Sequence, residues 1–512
     1  MKQQRSPYFT LFFLVFVMAG LFIISIVFPD RGIKITKNII IKFPTFSSLV
    51  NNDKPKYAAI PEVVFKADTV SLEAIKTATK TRIDTVFTDE TDTITRIVKA
   101  YMPILKEPAS KLEINSQKIE FKDKDGSVLY GFFNKLEEAR DNRKPLRIVH
   151  FGDSQIEGDR ISGFIRERLQ SRFGGGGPGL VPALKIYNQA SVTHDNIGQW
   201  FRYTIFGNVD KNVTHNRYGV MCAFSRFTPF GTGSETNAVT TSITKYNTKT
   251  SIYPSAKKFQ KLKIYYGKVE SEVGVEVLNN DNILVTQTLN ETENLNVKTI
   301  NFDNSIDNAT LIFKGTNSPD IYGVSLEMPY GISVDNIAMR GGSGTVFNKM
   351  DKGVLSGMLK DMNTELIIMQ FGGNVMPYIK DEKGCKDYGN WFYAQLTALK
   401  AAKPGVAIIV IGPADMSIKK DDYFETYPHF ENVRDALKAA AFKAGAGFWD
   451  MYLAMGGKNS MPSWVSANPP LASSDYIHFS PRGARIIAEL FYEALNYEYE
   501  NYRYKNVEAS KE

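Results

Sequence analysis

Cysteine is nearly missing from this chain: its 512 residues include two, Cys222 and Cys385, far apart in sequence. That excludes a disulfide scaffold and any cysteine-rich metal site. Histidine is scarce as well. The five present (His150, His194, His215, His429 and His478) show no metal-ligand spacing, so one or two at most are expected to do chemistry. No metal or cofactor is expected. The net charge of +7 is spread along the chain, with no basic run interleaved with aromatics, which argues against a nucleic-acid partner. No Gly-Lys-Ser/Thr follows the glycine cluster Gly174-Gly175-Gly176-Gly177-Pro178-Gly179, which excludes a phosphate loop. The cluster instead predicts a helix stop and a mobile loop.

What is present has the balance of a globular protein, 43% hydrophobic and 23% charged, and the length predicts two or three folded units. Tyr8 to Phe28 carries no charge and is long enough to span a bilayer as one helix. Lys2 and Arg5 precede it, which places the N-terminus in the cytoplasm. Residues 1–30 therefore read as a cytoplasmic tip and signal anchor. The rival is a cleaved signal peptide, but no small-x-small cleavage site precedes Asp30. Either way the bulk of the chain is expected outside the cytoplasm. Residues 31–117 show no sustained period, are rich in Thr, Lys, Asp and Glu, and read as a largely irregular stem.

From 118 an α/β pattern begins, with a helix expected over Leu129–Arg140 and a buried strand ending at Gly152. Between 188 and 327 helical periodicity stops. Short β-branched or alternating runs recur there: Phe201–Phe206, Val220–Phe227, Val239–Tyr246, Lys261–Tyr266, Val273–Leu278, Ile283–Leu289, Val297–Phe302, Ala309–Phe313 and Ile321–Leu326. Turn residues separate them, which predicts an inserted β-sandwich. Trp200, Tyr203, Tyr218, Tyr265 and Tyr266 could form a sugar platform there, though filling the core is the commoner use of any one of them. From 328 to 505 the α/β pattern returns, and 506–512 is a tail. Strands are expected at Thr364–Phe371, Val406–Ile411 and Gly447–Asp450, with helices at Gly389–Ala402, His429–Ala444 and Pro481–Tyr497. Parallel strands alternating with helices make a three-layer α/β sandwich.

Ser154, in Ile148-Val149-His150-Phe151-Gly152-Asp153-Ser154, sits where a strand turns toward a helix, at the carboxyl end of a sheet. N–H groups at the start of that helix favour a developing negative charge. A serine there needs a base, because a free hydroxyl is a weak nucleophile. His478 can take and return the proton, and Asp475, three residues earlier on the same loop, can hold its tautomer. Oxyanion donors are the N–H of Ser154, the N–H of Gly341 within Arg340-Gly341-Gly342, and the amide of Asn374 after Gly372-Gly373.

With these four blocks in this order, the chain resembles the SGNH (GDSL-type) hydrolases. The resemblance covers roughly 230 residues in two pieces. It rests on Gly152-Asp153-Ser154, Gly341, Gly372-x-Asn374 and Asp475-x-x-His478. Gly342 could serve in place of Gly341, and Val375 stands where many members have Asp. The resemblance implies a flavodoxin-like α/β/α fold, no cofactor, and esterase or acyl-transfer chemistry at a Ser154–His478–Asp475 triad. The stretch Gly152 to Arg160, the Gly-Pro-Gly that follows and the inserted β-sandwich are similar to bacterial cell-envelope members such as peptidoglycan O-acetylesterases, whose insert resembles a carbohydrate-binding module. That implies removal of O-acetyl groups from a periplasmic glycan, peptidoglycan in the first instance. A glycan O-acetyltransferase using the same triad and a non-catalytic glycan-binding protein are the alternatives, and nothing in the sequence fixes the acyl chain.

The remaining polar residues have structural readings. Glu157 and Asp159 suit capping and helix-dipole roles. His150 reads as a satisfied core residue, His194 and His215 as surface residues, and His429 as a cap neighbour. Arg340 and Arg482 are expected in surface salt bridges. Cys385 has no partner pattern around it.

Overall fold

The computed structural model describes residues 7–29, 33–36, 39–41, 43–46, 56–84, 117–231 and 238–509. Residues 1–56 with 420–423 make a small unit of their own. Its main element is helix α1 (Pro7–Val27), within which Tyr8–Val27 is long and apolar enough to cross a membrane. Two short strands, Ile33–Thr36 and Ile39–Ile41, pair antiparallel after it.

All other described residues form the second unit. It has a six-stranded sheet and two antiparallel sheets. The six-stranded sheet contains β1 (Ile119–Glu120), β2 (Pro145–Gly152), β14 (Gly331–Ala338), β15 (Thr364–Gln370), β16 (Ala407–Ile411) and β17 (Gly447–Trp449). Their spatial order is β14-β2-β15-β16-β17-β1, parallel except for the antiparallel edge strand β1. The five parallel strands thus follow the flavodoxin-like order, with the switch point between β2 and β15.

Alternation along the strands builds two cores. Leu146, Ile148, Ile332, Val334, Leu366 and Ile368 point to one face, packed under helices α3 (Tyr130–Asp141), α4 (Ser162–Phe173) and α8 (Pro481–Ala509). Val149, Phe151, Ile337, Ile367, Met369 and Val410 point to the other, under α5 (Lys352–Asp361), α6 (Glu382–Ala402) and α7 (Phe430–Lys443). Successive strand residues face opposite sides, so a strand covered by helices on both faces must be apolar throughout, as Ile148-Val149 and Ile367-Ile368-Met369 are.

The inserted part is a pair of antiparallel sheets around their own core. One holds β11 (Asn296–Ile306), β8 (Phe259–Gly267), β13 (Asp320–Glu327), β6 (Ala223–Arg226) and β5 (Phe201–Thr204), in that order, with β3 (Gly179–Val181) also pairing β13. The other runs β10 (Asn282–Leu289), β9 (Val273–Asn279), β12 (Asn308–Gly315), β7 (Thr240–Asn247), β4 (Thr193–Ile197). The first of these sheets starts at Gly179, ahead of the boundary expected at 188. At the junction with the α/β part, Arg147 of β2 pairs with Glu327 of β13 and Asp335 of β14, and Asp335 also accepts the Leu180 N–H at 2.8 Å.

Two expectations need correction, and for the aromatics of the insert the commoner use holds. The glycine cluster does stop α4, but it is no mobile loop: a Cβ on Gly175 would lie 2.5 Å from the Ile332 oxygen and one on Gly177 2.3 Å from that of Leu326. The glycines let two backbones pack together between the sheets. The aromatics of the insert fill cores: Tyr203, Tyr218, Tyr265 and Tyr266 are buried, and Trp200 packs against the sandwich core and donates to the Ile243 carbonyl. The segment read as an irregular stem contains a 23-residue helix, α2 (Glu62–Asp84). Its inward residues Val64, Ala67, Asp68 and Ser71 recur at helical spacing, but two of the four are polar, so no apolar period announced it. Polar contacts dock it. The Asp68 carboxylate accepts from Arg482 at 2.9 and 2.7 Å and from Arg485 at 2.7 Å, and Ser71 Oγ accepts from Arg485 Nε. Residues 85–116 of that segment lie outside the described residues.

Candidate active site

The register of the sheet brings three segments to one edge. Gly152 at the end of β2 faces Ala338 of β14 on one side and Gln370 of β15 on the other. The residues that follow each strand therefore emerge together at the carboxyl edge, beside the switch point, where open α/β sheets bind ligands. They carry Ser154, Gly341 and Asn374.

Ser154 is not at the start of an α-helix, as the sequence suggested. It opens a tight 3-10 segment, Ser154–Asp159, broken by Glu157 in extended backbone and Gly158 at φ 73°, and α4 begins only at Ser162. Asp153 caps this turn by accepting the Gln155 N–H at 2.9 Å. The Arg160 guanidinium donates to the Ser154 carbonyl at 2.6 Å and to that of Glu157 at 2.7 Å, which fixes the turn from the side.

His478 comes from the loop ahead of α8. That loop is closed by its own backbone: Ser473 N–H donates to the His478 carbonyl at 2.8 Å and Ser480 N–H to that of Leu471 at 3.0 Å. Ser154 Oγ and His478 Nε2 lie 2.8 Å apart, and His478 Nδ1 lies 2.7 Å from Asp475 Oδ2. The other oxygen of Asp475 accepts the backbone N–H groups of Ile477 and His478 at 2.9 and 3.0 Å. Desolvation pushes the Asp475 carboxyl upward, but the His478 ring and these two N–H groups outweigh it and hold the group below its ordinary range. With Asp475 ionised, Nδ1 is the protonated nitrogen and Nε2 is left to accept from the serine hydroxyl.

Three groups are the expected oxyanion donors: the N–H of Ser154, the N–H of Gly341 and the side-chain amide of Asn374. Gly341 is the third residue of a turn closed by the Gly342 N–H donating to the Met339 carbonyl at 2.8 Å, with φ 75°, a conformation that favours glycine. Gly342 thus spends its own N–H on the turn, while those of Gly341 and Ser154 have no protein acceptor among the described residues. Asn374 Nδ2 gives one hydrogen to the Gly342 carbonyl at 3.0 Å and keeps the other.

Ser154, His478 and Asn374 line a cavity of about 210 Å³ with Phe371, Tyr378, Met416, Tyr427 and Ile477 among its walls. Two residues that sequence reasoning did not single out shape it. Gln155, buried beside the serine, donates to the Ile477 carbonyl at 2.6 Å and accepts the Phe479 N–H at 3.4 Å, so it grips the backbone on both sides of His478. Tyr378 stands at the mouth. Burial pushes the Asp153 carboxyl up to about 6, against the Gln155 N–H and the charge of His478. No local pattern signals these properties, because each arises from contacts across more than 200 residues of chain.

The other polar residues have structural partners. His150 is buried between Gln370 and Ser162, and burial holds it neutral, with its pKa lowered to about 3. His194 and His215 are not surface residues. His194 is buried against the Ala183 carbonyl and Thr244, and His215 lies 2.9 Å from the buried Asp320. His429 is the cap residue of α7 without a side-chain capping bond. Arg340 pairs with Glu157 at 2.7 Å, Asp159 with Arg166 at 2.6 Å, and Arg482 with Asp68. Cys222 and Cys385 are buried free thiols. Among the described residues no cluster of His, Cys, Asp and Glu could hold a metal ion.

The sheet order and the carboxyl-edge site define a flavodoxin-like three-layer α/β fold with an inserted β-sandwich, the architecture that the resemblance to the SGNH hydrolases implied. Among solved structures, the chain is similar to a peptidoglycan O-acetylesterase, with a TM-score of 0.55 and 21% identity over 72% of this chain and 95% of that one. A family two carbohydrate esterase from Cellvibrio japonicus aligns over 60% of this chain and 99% of its own, at 9% identity and a TM-score of 0.23. No protein-family model and no curated protein matches the sequence.

Proposed function

We propose that this chain is a membrane-anchored serine esterase of the SGNH type. In this reading it removes O-acetyl groups from a glycan of the cell envelope, peptidoglycan in the first instance, on the periplasmic side of the membrane. The observation that carries the reading is the hydrogen-bonded line Ser154 Oγ, His478 Nε2, His478 Nδ1, Asp475 Oδ2, at 2.8 and 2.7 Å, opening into one cavity.

The geometry yields the reaction in two halves. Ser154 Oγ attacks the acetyl carbonyl carbon while His478 Nε2 takes the hydroxyl proton. The negative charge that develops on the carbonyl oxygen is met by the N–H groups of Ser154 and Gly341 and the amide of Asn374. The tetrahedral species collapses, the C–O bond to the sugar breaks, and His478 returns its proton to the leaving sugar oxygen. Water, deprotonated by His478, then attacks the acetyl-serine. Acetate leaves and the serine regains its proton.

Cavity size supports a short acyl group. About 210 Å³ is below the range of roughly 300–1,000 Å³ that holds drug-sized ligands, which favours an acetyl group over a long acyl chain. The apolar helix α1 supports the membrane anchor, and the peptidoglycan O-acetylesterase that shares the fold supports the glycan.

Acetate release is the test, measured with full-length protein in detergent on O-acetylated peptidoglycan and on p-nitrophenyl acetate, beside Ser154→Ala. Wild type should cleave both, and Ser154→Ala should lose at least about a thousandfold in kcat. Cleavage of the small ester alone would remove the glycan claim. Equal activity in wild type and Ser154→Ala would remove the nucleophile.

A further inference from the structure

The cavity takes the acyl group; a different feature bears on the alcohol. Tyr378 is 79% exposed, against 61% for Trp391, the next most exposed aromatic of the described residues outside α1. A single exposed ring is ordinary on a protein surface. What sets this one apart is its place. It lines the same cavity as Ser154, Asn374 and His478. It also ends the 3-10 segment Gly373–Tyr378 that carries Asn374, directly after Pro377. Pro377 fixes its own φ, which limits the freedom of this turn. The side chain that offers an amide to the reacting oxygen and the ring at the mouth are therefore parts of one short element. The tyrosine hydroxyl has no hydrogen-bond partner among the described residues, and the ring stabilises little by burial.

An acetyl group held at the serine takes up only part of a cavity of about 210 Å³, and the alcohol half of the ester must lie against what lines the rest. Pro377 and the exposed Tyr378 are part of that lining. Of the other phenyl and phenol rings in the lining, Phe371 is buried and Tyr427 half-buried, so Tyr378 is the broadly exposed one. A pyranose has an apolar face of axial C–H groups that packs on an aromatic ring, with weak C–H contacts to the π face adding to the area buried. The geometry points to Tyr378 as the platform on which the sugar bearing the scissile ester stacks, a carbohydrate subsite built into the oxyanion turn. This rests on the esterase reading above.

The test compares wild type, Tyr378→Ala and Tyr378→Phe, all full length in detergent. The substrates are soluble O-acetylated peptidoglycan fragments and ethyl acetate, which has no ring to stack. Tyr378→Ala should raise KM for the fragments by about tenfold with kcat within about twofold, a loss typical of one aromatic contact. Tyr378→Phe should restore the wild-type KM, because stacking needs the ring and not the hydroxyl. Placed on a Ser154→Ala background, Tyr378→Ala should weaken fragment binding by a similar factor in calorimetry, which separates recognition from turnover. The platform is overturned if KM for the fragments is unmoved in Tyr378→Ala. It is also overturned if KM for ethyl acetate rises as much, or if Phe fails to restore it. Wild type inactive on both esters would instead sink the esterase reading itself.

Discussion

Asp153 should weaken the fold it belongs to. Its carboxyl is buried beside the serine, and burial raises its pKa from an ordinary 3.8 to about 6. The folded protein therefore holds a proton there between pH 4 and 6 that the unfolded chain has released. Since stability falls with pH wherever the native state binds more protons, this site costs stability as pH rises from about 4 to about 6, and the cost persists above. At 1.36 kcal/mol per pH unit, the displacement is worth roughly 3 kcal/mol. Asp153→Asn keeps an oxygen to accept the Gln155 N–H and removes the charge. It should match wild type near pH 4 and exceed it at pH 8 by up to roughly 3 kcal/mol, a Tm gain of several degrees for a body of this size. Thermal melts of both proteins from pH 4 to 8 give the comparison. Activity should move the other way, because the Asp153 carboxylate faces the imidazolium that forms on His478 during attack. A variant less stable than wild type at pH 8, or one whose advantage is the same at pH 4 and 8, would refute the reasoning.

Three further outcomes follow from contacts already described. Asp475→Asn would place an amide N–H against His478 Nδ1, favour the tautomer that cannot accept from Ser154, and lower kcat by about 10³–10⁴ with little change in Tm. Asn374→Ala should lower kcat by about 10²–10³ with KM held, since it removes a donor needed only as charge develops; steady-state kinetics on p-nitrophenyl acetate reads both. Asp68→Ala strips two arginines of a shared acceptor and should cost roughly 1–3 kcal/mol at pH 7. Desolvation opposes ionisation of Asp68, but hydrogen bonds from Arg482 and Arg485 win and hold its carboxyl below its ordinary 3.8, so its contribution is full above about pH 4 and is lost as pH falls further; the gap in Tm to wild type should narrow as the pH is lowered below about 4.

How much of this was legible in the sequence varies with the residue. Each of the nine β-branched runs between 201 and 326 overlaps a strand, because strand chemistry is local and repeats every second residue. Strand β4, Thr-His-Asp-Asn-Ile, was not anticipated: it is a polar edge strand whose pairing with β7 is written in its partner. Helix α5 hides behind two glycines, Gly353 and Gly357. Asp475 and His478 are legible because three residues and one turn bring them together. Gln155 is not, since its hold on Ile477 joins positions 322 residues apart. Nor is it legible that Gly342 spends its N–H on the Met339 carbonyl while that of Gly341 has no protein acceptor among the described residues, since that depends on the shape of the turn.

Helix α2 has a mechanical consequence. A pull arriving along the chain from its N-terminal side enters this unit at Tyr57. It meets first the bond from the Ala58 N–H to the Asn459 carbonyl, then that from Ser463 Oγ to the Ala58 carbonyl, and then the grip of Arg482 and Arg485 on Asp68. Strand β2, with the serine at its end, lies more than sixty residues further along the chain than α2. Load is thus taken up by the first strap of chain and carried into the body through α8, while the strand that aims Ser154 stays slack. If the chain is tied through α1, as proposed above, a tug reaches this strap of chain before it reaches the strand behind the serine.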